Sequence, residues 1–106
     1  MEIAMAQFLM LAYDGTDADA PARRRAARPA HFENIKPMVE KKEICAGGAI
    51  LDDSGTMIGS VLFVEFPDRA ALDAWLEREP YVQQKVWQKI EIKPFRLAVL
   101  DGKMMP

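Results

Sequence analysis

Residues 44–66, ICAGGAILDDSGTMIGSVLFVEF, hold two apolar runs separated by one dense turn signal. Asp52-Asp53-Ser54-Gly55 is a cluster of turn formers, and short apolar runs bounded by such residues read as strands. Ile44 to Leu51 is therefore predicted as one strand and Gly59 to Phe66 as the next, mostly buried. Inside the first, Gly47-Gly48 predict a bulge or a close approach of another group to the backbone.

Upstream, Met5 to Tyr13 (MAQFLMLAY) is almost continuously apolar and is closed by Asp14-Gly15. That length suits a central strand covered on both faces. Asp19 is placed to cap a helix and Pro21 to sit in its first turn. From Arg24 the spacing Arg24, Ala27, Arg28, His31, Ile35, Met38/Val39 traces one helical face. Pro29 and Pro37 interrupt it, each costing about 3 kcal/mol in a helix interior. A restart near Pro29 and a kink near Pro37 are expected.

Downstream, Pro67-Asp68 opens a second helix, with Leu72, Trp75 and Leu76 on one face. Glu79-Pro80 ends it and resembles a cap and first-turn proline for a short helix running to about Val86. Glu91 to Leu100 reads as the last strand, with a face change at Lys93-Pro94 that implies a bulge. The order is βαββαβ, an α+β ferredoxin-like fold with an antiparallel sheet. One sheet face carries helices, and a second copy of the chain is the simplest cover for the other.

The 106 residues suit one domain, with a core at about 5–100 and a frayed tail carrying Met104 and Met105. Fourteen basic and 16 acidic side chains give a net charge of -2, no general reason to bind nucleic acid or an anionic membrane. A lone Cys45 excludes an intrachain disulfide and fits the reducing cytoplasm; it reads as a small buried hydrophobe. With a lone histidine, His31, the usual zinc ligand sets are out of reach. P-loop, dinucleotide and C-x-x-C motifs are absent, so no metal and no cofactor are expected. The apolar opening after Glu2 is too short to span a bilayer, and no signal peptide is expected.

The compositional oddity is Thr16 to Ala30, TDADAPARRRAARPA, which a solvated loop and helix start explains. Even so, a stripe that turns basic at Arg24, Arg28 and His31 suits the mouth of a cleft. A helix restarting at Pro29 puts His31 in its first turn, where the dipole favours the neutral ring. The stripe alone fits a structural histidine equally well. Glu79 is placed to orient His31, although spacing alone favours a cap. Ser60 before a buried strand, Tyr81 beside Pro80, and Asp14 at a strand end are the remaining candidates. Trp75 and Trp87 read as core or interface.

Arg28-Pro29-Ala30-His31, Asp53-Ser54-Gly55 with Gly59-Ser60, Glu79-Pro80-Tyr81-Val82 and Ile92-Lys93-Pro94-Phe95 together resemble the YCII-related (YciI-like) family, from about Met5 to Leu97. The resemblance implies a dimeric α/β barrel and a pocket in which a histidine and a carboxylate do acid–base chemistry. Carried over by position, it implies His31 and Glu79 as the catalytic pair, with Arg28, Ser60 and Tyr81 around the substrate; Asp14 joins the substrate-binding candidates from its place at the strand end alone. Glu79 departs from the family's usual aspartate, carrying its carboxylate about 1.5 Å further from the backbone. The implied activity is of lyase or isomerase type on a small anionic or oxygenated, even aromatic, metabolite. The alternative is a non-catalytic dimeric binding or regulatory accessory module.

Overall fold

The computed structural model describes residues 5–105. The expectations resting on Glu2 and on the extreme termini lie outside that range. The chain runs β1 (Ala6–Asp14), α1 (Ala20–Glu40), β2 (Ile44–Leu51), β3 (Met57–Phe66), α2 (Arg69–Arg78), α3 (Pro80–Gln83), β4 (Trp87–Pro94), β5 (Val99–Leu100) and β6 (Lys103–Met104). The main sheet has the order β2-β3-β1-β4 with every neighbouring pair antiparallel, which is the expected ferredoxin-like arrangement.

Burial alternates along the strands. In β1, Phe8, Met10, Ala12 and Asp14 are buried, while Gln7, Leu9, Leu11 and Tyr13 are only half-buried. Ser60, Leu62, Val64 and Phe66 repeat the pattern in β3, pairing with Ala12, Met10, Phe8 and Ala6. The buried side holds the core with Leu72, Trp75, Tyr81 and Val86. The near-continuous apolar run of β1 is thus central but not covered on both faces within one chain. Leu9, Leu11, Val61 and Phe63 make up the middle of the less buried face.

Helix α1 corrects the sequence reading, for it runs unbroken through Pro29 and Pro37. Both prolines are exposed, as are Arg25 and Glu33, whose carbonyls lose their i+4 partners. Those carbonyls can turn to water, so the missing bonds do not break the helix. Asp19 makes no side-chain cap; Pro21 does lie in the first turn. Ala20, Arg24, Ala27 and His31 are the buried residues of α1, whereas Arg28 and Val39 are exposed at the margin of the stripe.

Glycines appear where backbones come close. A Cβ on Gly47 meets the Leu62 side chain, and one on Gly59 falls 2.5 Å from the Ala12 carbonyl oxygen. The shift in β2 skips Cys45, which is half-buried and directs its thiol at the Lys42 carbonyl oxygen 3.6 Å away. Burial, and after it the charge of Glu65, pushes that thiol above its ordinary value.

The last strand also differs from expectation. It begins at Trp87 and ends at Pro94, and its irregularity faces Tyr13/Asp14, not Lys93-Pro94. Pro94 is the final ladder residue of an edge strand, where its missing donor matters least. Beyond it Gln7 holds the departing chain, accepting from Phe95 N at 3.0 Å and Leu97 N at 2.7 Å. The tail expected to fray forms the β5–β6 hairpin instead. Its turn residues, Asp101 and Gly102, both take positive φ, a pattern that Asp-Gly accommodates well. Helix α3 stops at Gln83, short of Val86, with Lys85 in the left-handed region at φ 60°.

Candidate active site

Two polar clusters meet beneath one cleft. The first is built on Arg24, buried on α1 opposite the ends of β1 and β3. Its Nη1 donates to both carboxylate oxygens of Asp14, at 2.9 and 3.1 Å, and its Nη2 donates to Ser60 Oγ at 2.9 Å. Trp87 Nε1 donates to the same Ser60 oxygen at 3.1 Å. Two incoming donors occupy the acceptor capacity of Ser60 and leave its own hydroxyl hydrogen to be donated elsewhere. Burial outweighs the neighbouring guanidinium and raises the Asp14 carboxyl above its ordinary value.

The second cluster centres on Glu79, which is fully buried. It is the N-cap of α3, and its Oε1 accepts from the Tyr81 amide at 3.1 Å. That oxygen also lies 2.5 Å from His31 Nδ1, while Oε2 accepts from Asn34 Nδ2 at 2.7 Å. Tyr81 N and Asn34 both donate to Glu79, and a carboxylate acceptor assigns the hydrogen of the His31 contact to Nδ1. His31 Nε2 makes no hydrogen bond among the described residues. The imidazole stacks on Tyr81, ring centroids 3.9 Å apart and planes 11° apart, with the Trp87 ring edge-on at 5.6 Å. Arg24 covers the Tyr81 ring at 5.0 Å. Burial raises the Tyr81 phenol above its ordinary value, so it remains a hydroxyl at neutral pH.

A cleft of about 400 Å³ opens over both clusters, between α1 and the β2–β3 edge. Arg24, Arg28, His31, Ser60 and Tyr81 are its polar lining, and Phe32, Ile35, Val39, Ile44 and Leu62 supply apolar wall. Gly47, Gly48 and Ala49 keep its outer wall low. Among the described residues, no group of three or more His, Cys, Asp or Glu side chains is arranged to hold a metal.

The six sequence candidates therefore divide. His31, Arg28, Ser60 and Tyr81 line one cleft. Glu79 lies beneath it, reaching His31 but not the cleft. Asp14 is also outside the cleft, its carboxylate turned onto Arg24. His31 is mid-helix because α1 is continuous, not in the first turn expected from a restart at Pro29, and its ring meets Glu79 through Nδ1. Arg24 was legible only as part of the basic stripe, and Asn34 was missed. Its position three residues after His31, on the same helical face, was the available signal. Trp87, read as core or interface, is buried in the core and is also a hydrogen-bond donor to Ser60.

Comparison with known proteins adds relatives to this geometry. Protein YciI of Escherichia coli O6:H1 is 28% identical over 94 residues, covering 83% of this chain and 96% of its own. Among solved structures, 5-chloro-2-hydroxyhydroquinone dehydrochlorinase (TftG) from Burkholderia phenoliruptrix AC1100, in complex with 2,5-dihydroxybenzoquinone, superposes with a TM-score of 0.73 at 21% identity. It covers 85% of this chain and 93% of that one. PA3566 from Pseudomonas aeruginosa superposes with a TM-score of 0.54 at 16% identity, over 92% and 100% of the two chains. No helix among the described residues is long and apolar enough to cross a membrane. The YCII-related domain profile matches residues 6–96, nearly the whole chain, and the protein thus belongs to the YCII-related family.

Proposed function

We propose that this protein is an acid–base enzyme of lyase or isomerase type, acting without metal or organic cofactor on a small oxygenated, ring-bearing molecule. The observation that carries the proposal is the His31 ring, tied to Glu79 through Nδ1 and free of protein partners at Nε2, on the wall of a mixed polar and apolar cleft. His31 Nε2 takes a proton from a carbon or hydroxyl of the substrate. The negative charge that develops on substrate oxygen faces the Arg24 guanidinium and the spare Ser60 hydroxyl hydrogen. Glu79 balances the imidazolium formed and holds it in place, after which His31 returns the proton to the leaving group or to another atom of the ring. The name of the similar TftG, a dehydrochlorinase of a hydroxyhydroquinone, supports both the reaction class and the ring-shaped substrate.

A homodimer formed through the less buried sheet face, around Leu11 and Phe63, belongs to the same proposal, as does a cytoplasmic location. The test is to incubate purified protein with a panel of chlorinated and hydroxylated quinols in deuterium oxide. Release of halide, or deuterium appearing on ring carbon, is expected with wild type and not with His31→Asn. Ligand binding without either chemical change in the wild type moves the protein to the accessory binding role.

A further inference from the structure

The His31 cleft does not end at Arg24 and Arg28. Both side chains also line a second recess of about 360 Å³, completed by Pro21, Arg25, Thr56 and Met57. Met57 is likewise shared with the first cleft, so the two spaces adjoin across Arg24, Arg28 and Met57.

Two of the three guanidinium groups in this second recess, those of Arg25 and Arg28, lack a local counterion. Helix α1 sets Arg24, Arg25 and Arg28 at i, i+1 and i+4, and like charges at i,i+4 disfavour a helix. Arg24 is compensated by Asp14, and the neighbouring Arg23 by Asp17. Arg25 and Arg28 form no ion pair among the described residues. Arg28 is instead laid over the Phe32 ring, its guanidinium carbon 4.7 Å from the centroid. This contact holds the fork at the junction of the two spaces. On the facing β2–β3 turn, Asp52 spends one carboxylate oxygen on Ser54 N, Ser54 Oγ and Thr56 N, and it does not line the recess. The recess is therefore a concave, cationic pocket beside the reactive histidine, with no acid on its lining.

We propose that this recess is an anion subsite, which takes a carboxylate carried by the molecule whose ring occupies the His31 cleft. The inference rests on the ring-substrate reading above and adds the charge class of the substrate. It predicts a ring acid in preference to its neutral counterpart, with the carboxylate near Arg25 and Arg28 and the reacting oxygen near Ser60 and His31. Planar, two-pronged guanidinium groups suit a carboxylate better than a point charge does.

The experiment compares 2,5-dihydroxybenzoate with its methyl ester, titrated by calorimetry against wild type, Arg25→Gln, Arg28→Gln and His31→Asn. Wild type is expected to prefer the acid by about five- to tenfold, with the preference shrinking as salt rises. Arg25→Gln, which lines only the second recess, reduces the preference several-fold while ester affinity changes little, and Arg28→Gln reduces the preference by at least as much. His31→Asn retains the preference even though turnover is lost, which separates this inference from the catalytic one. Equal affinity for acid and ester in wild type, failure of both to bind, or a preference that survives both arginine substitutions overturns the subsite.

Discussion

A single carboxylate oxygen, Glu79 Oε1, faces His31 Nδ1 at 2.5 Å while accepting the Tyr81 amide at 3.1 Å. Spacing alone had offered two uses for Glu79, as a helix cap or as the partner of histidine. The structure joins them in one atom. Glu79 stands in the joint between α2 and α3, and its longer side chain reaches the ring from there.

Replacing His31 by asparagine keeps a donor where Nδ1 stood and removes Nε2. Activity on any substrate found should fall about 10²–10⁴-fold. Stability should fall by no more than about 2 kcal/mol, because Glu79 keeps its other two donors. Initial rates and urea denaturation of the same preparations check both values. His31→Ala is a poorer choice, since it leaves a cavity against Tyr81 as well as an unanswered carboxylate oxygen.

Glu79→Gln presents an amide to three donors and so turns at least one buried contact into a donor facing a donor. The expected cost is about 2–4 kcal/mol, measured by denaturant midpoint, with a loss of rate larger than any loss of substrate binding. Glu79→Asp keeps the charge and the capping chemistry but shortens the reach. It should keep most of the stability and lose more than about tenfold in rate.

Acid titration should separate Asp14 from Asp17. Asp17 is held at about 2 by Arg23, below its unfolded value near 3.8. Its contribution is present above the unfolded value and lost as pH falls through about 2. The Asp17→Asn variant should therefore melt below wild type above pH 4 and converge with it toward pH 2. Asp14 carries the opposite sign: burial raises its folded value, so its ionised form costs stability until pH falls through that raised value. Arg24→Met strands this carboxylate, at a cost of about 3–5 kcal/mol near neutral pH. That deficit should narrow on acidification as Asp14 takes up its proton. Thermal melts across pH 2–7 read both trends.

Leu11 lies mid-strand on the less buried sheet face, opposite Val61 and Glu91. Leu11→Lys should convert the proposed dimer to a monomer, seen by light scattering on a sizing column, while the far-ultraviolet circular dichroism of the fold persists. A wild type already monomeric at tens of micromolar would remove the dimer from the proposal.

The parts of the fold that rest on local pattern were legible. The strand pair around Asp52–Gly55 and the helix bearing Leu72 and Trp75 followed from spacing and turn chemistry. The continuity of α1 was not, because the cost of Pro29 and Pro37 depends on whether Arg25 and Glu33 face water, which only the packed structure decides. The strand expected at Glu91–Leu100 differs from the observed Trp87–Pro94 because apolar residues continue past Pro94 into a separate hairpin that turns at Asp101-Gly102. Within the site, the basic helical stripe pointed to His31 and the helix-start pattern Glu79-Pro80 to Glu79, and the family resemblance paired them. The union of Asp14, Arg24, Ser60 and Trp87 joins four elements and has no signature in local spacing.

The short helix α3 gives the proposed chemistry an unusual dependency. One turn, Pro80–Gln83, is capped by the very oxygen that meets the His31 ring. Unwinding that turn would let the Glu79 carboxylate drift and silence His31 with the sheet intact. Substitutions at Pro80, which does not line the cleft, should therefore dim the proposed turnover, with thermal inactivation preceding thermal unfolding.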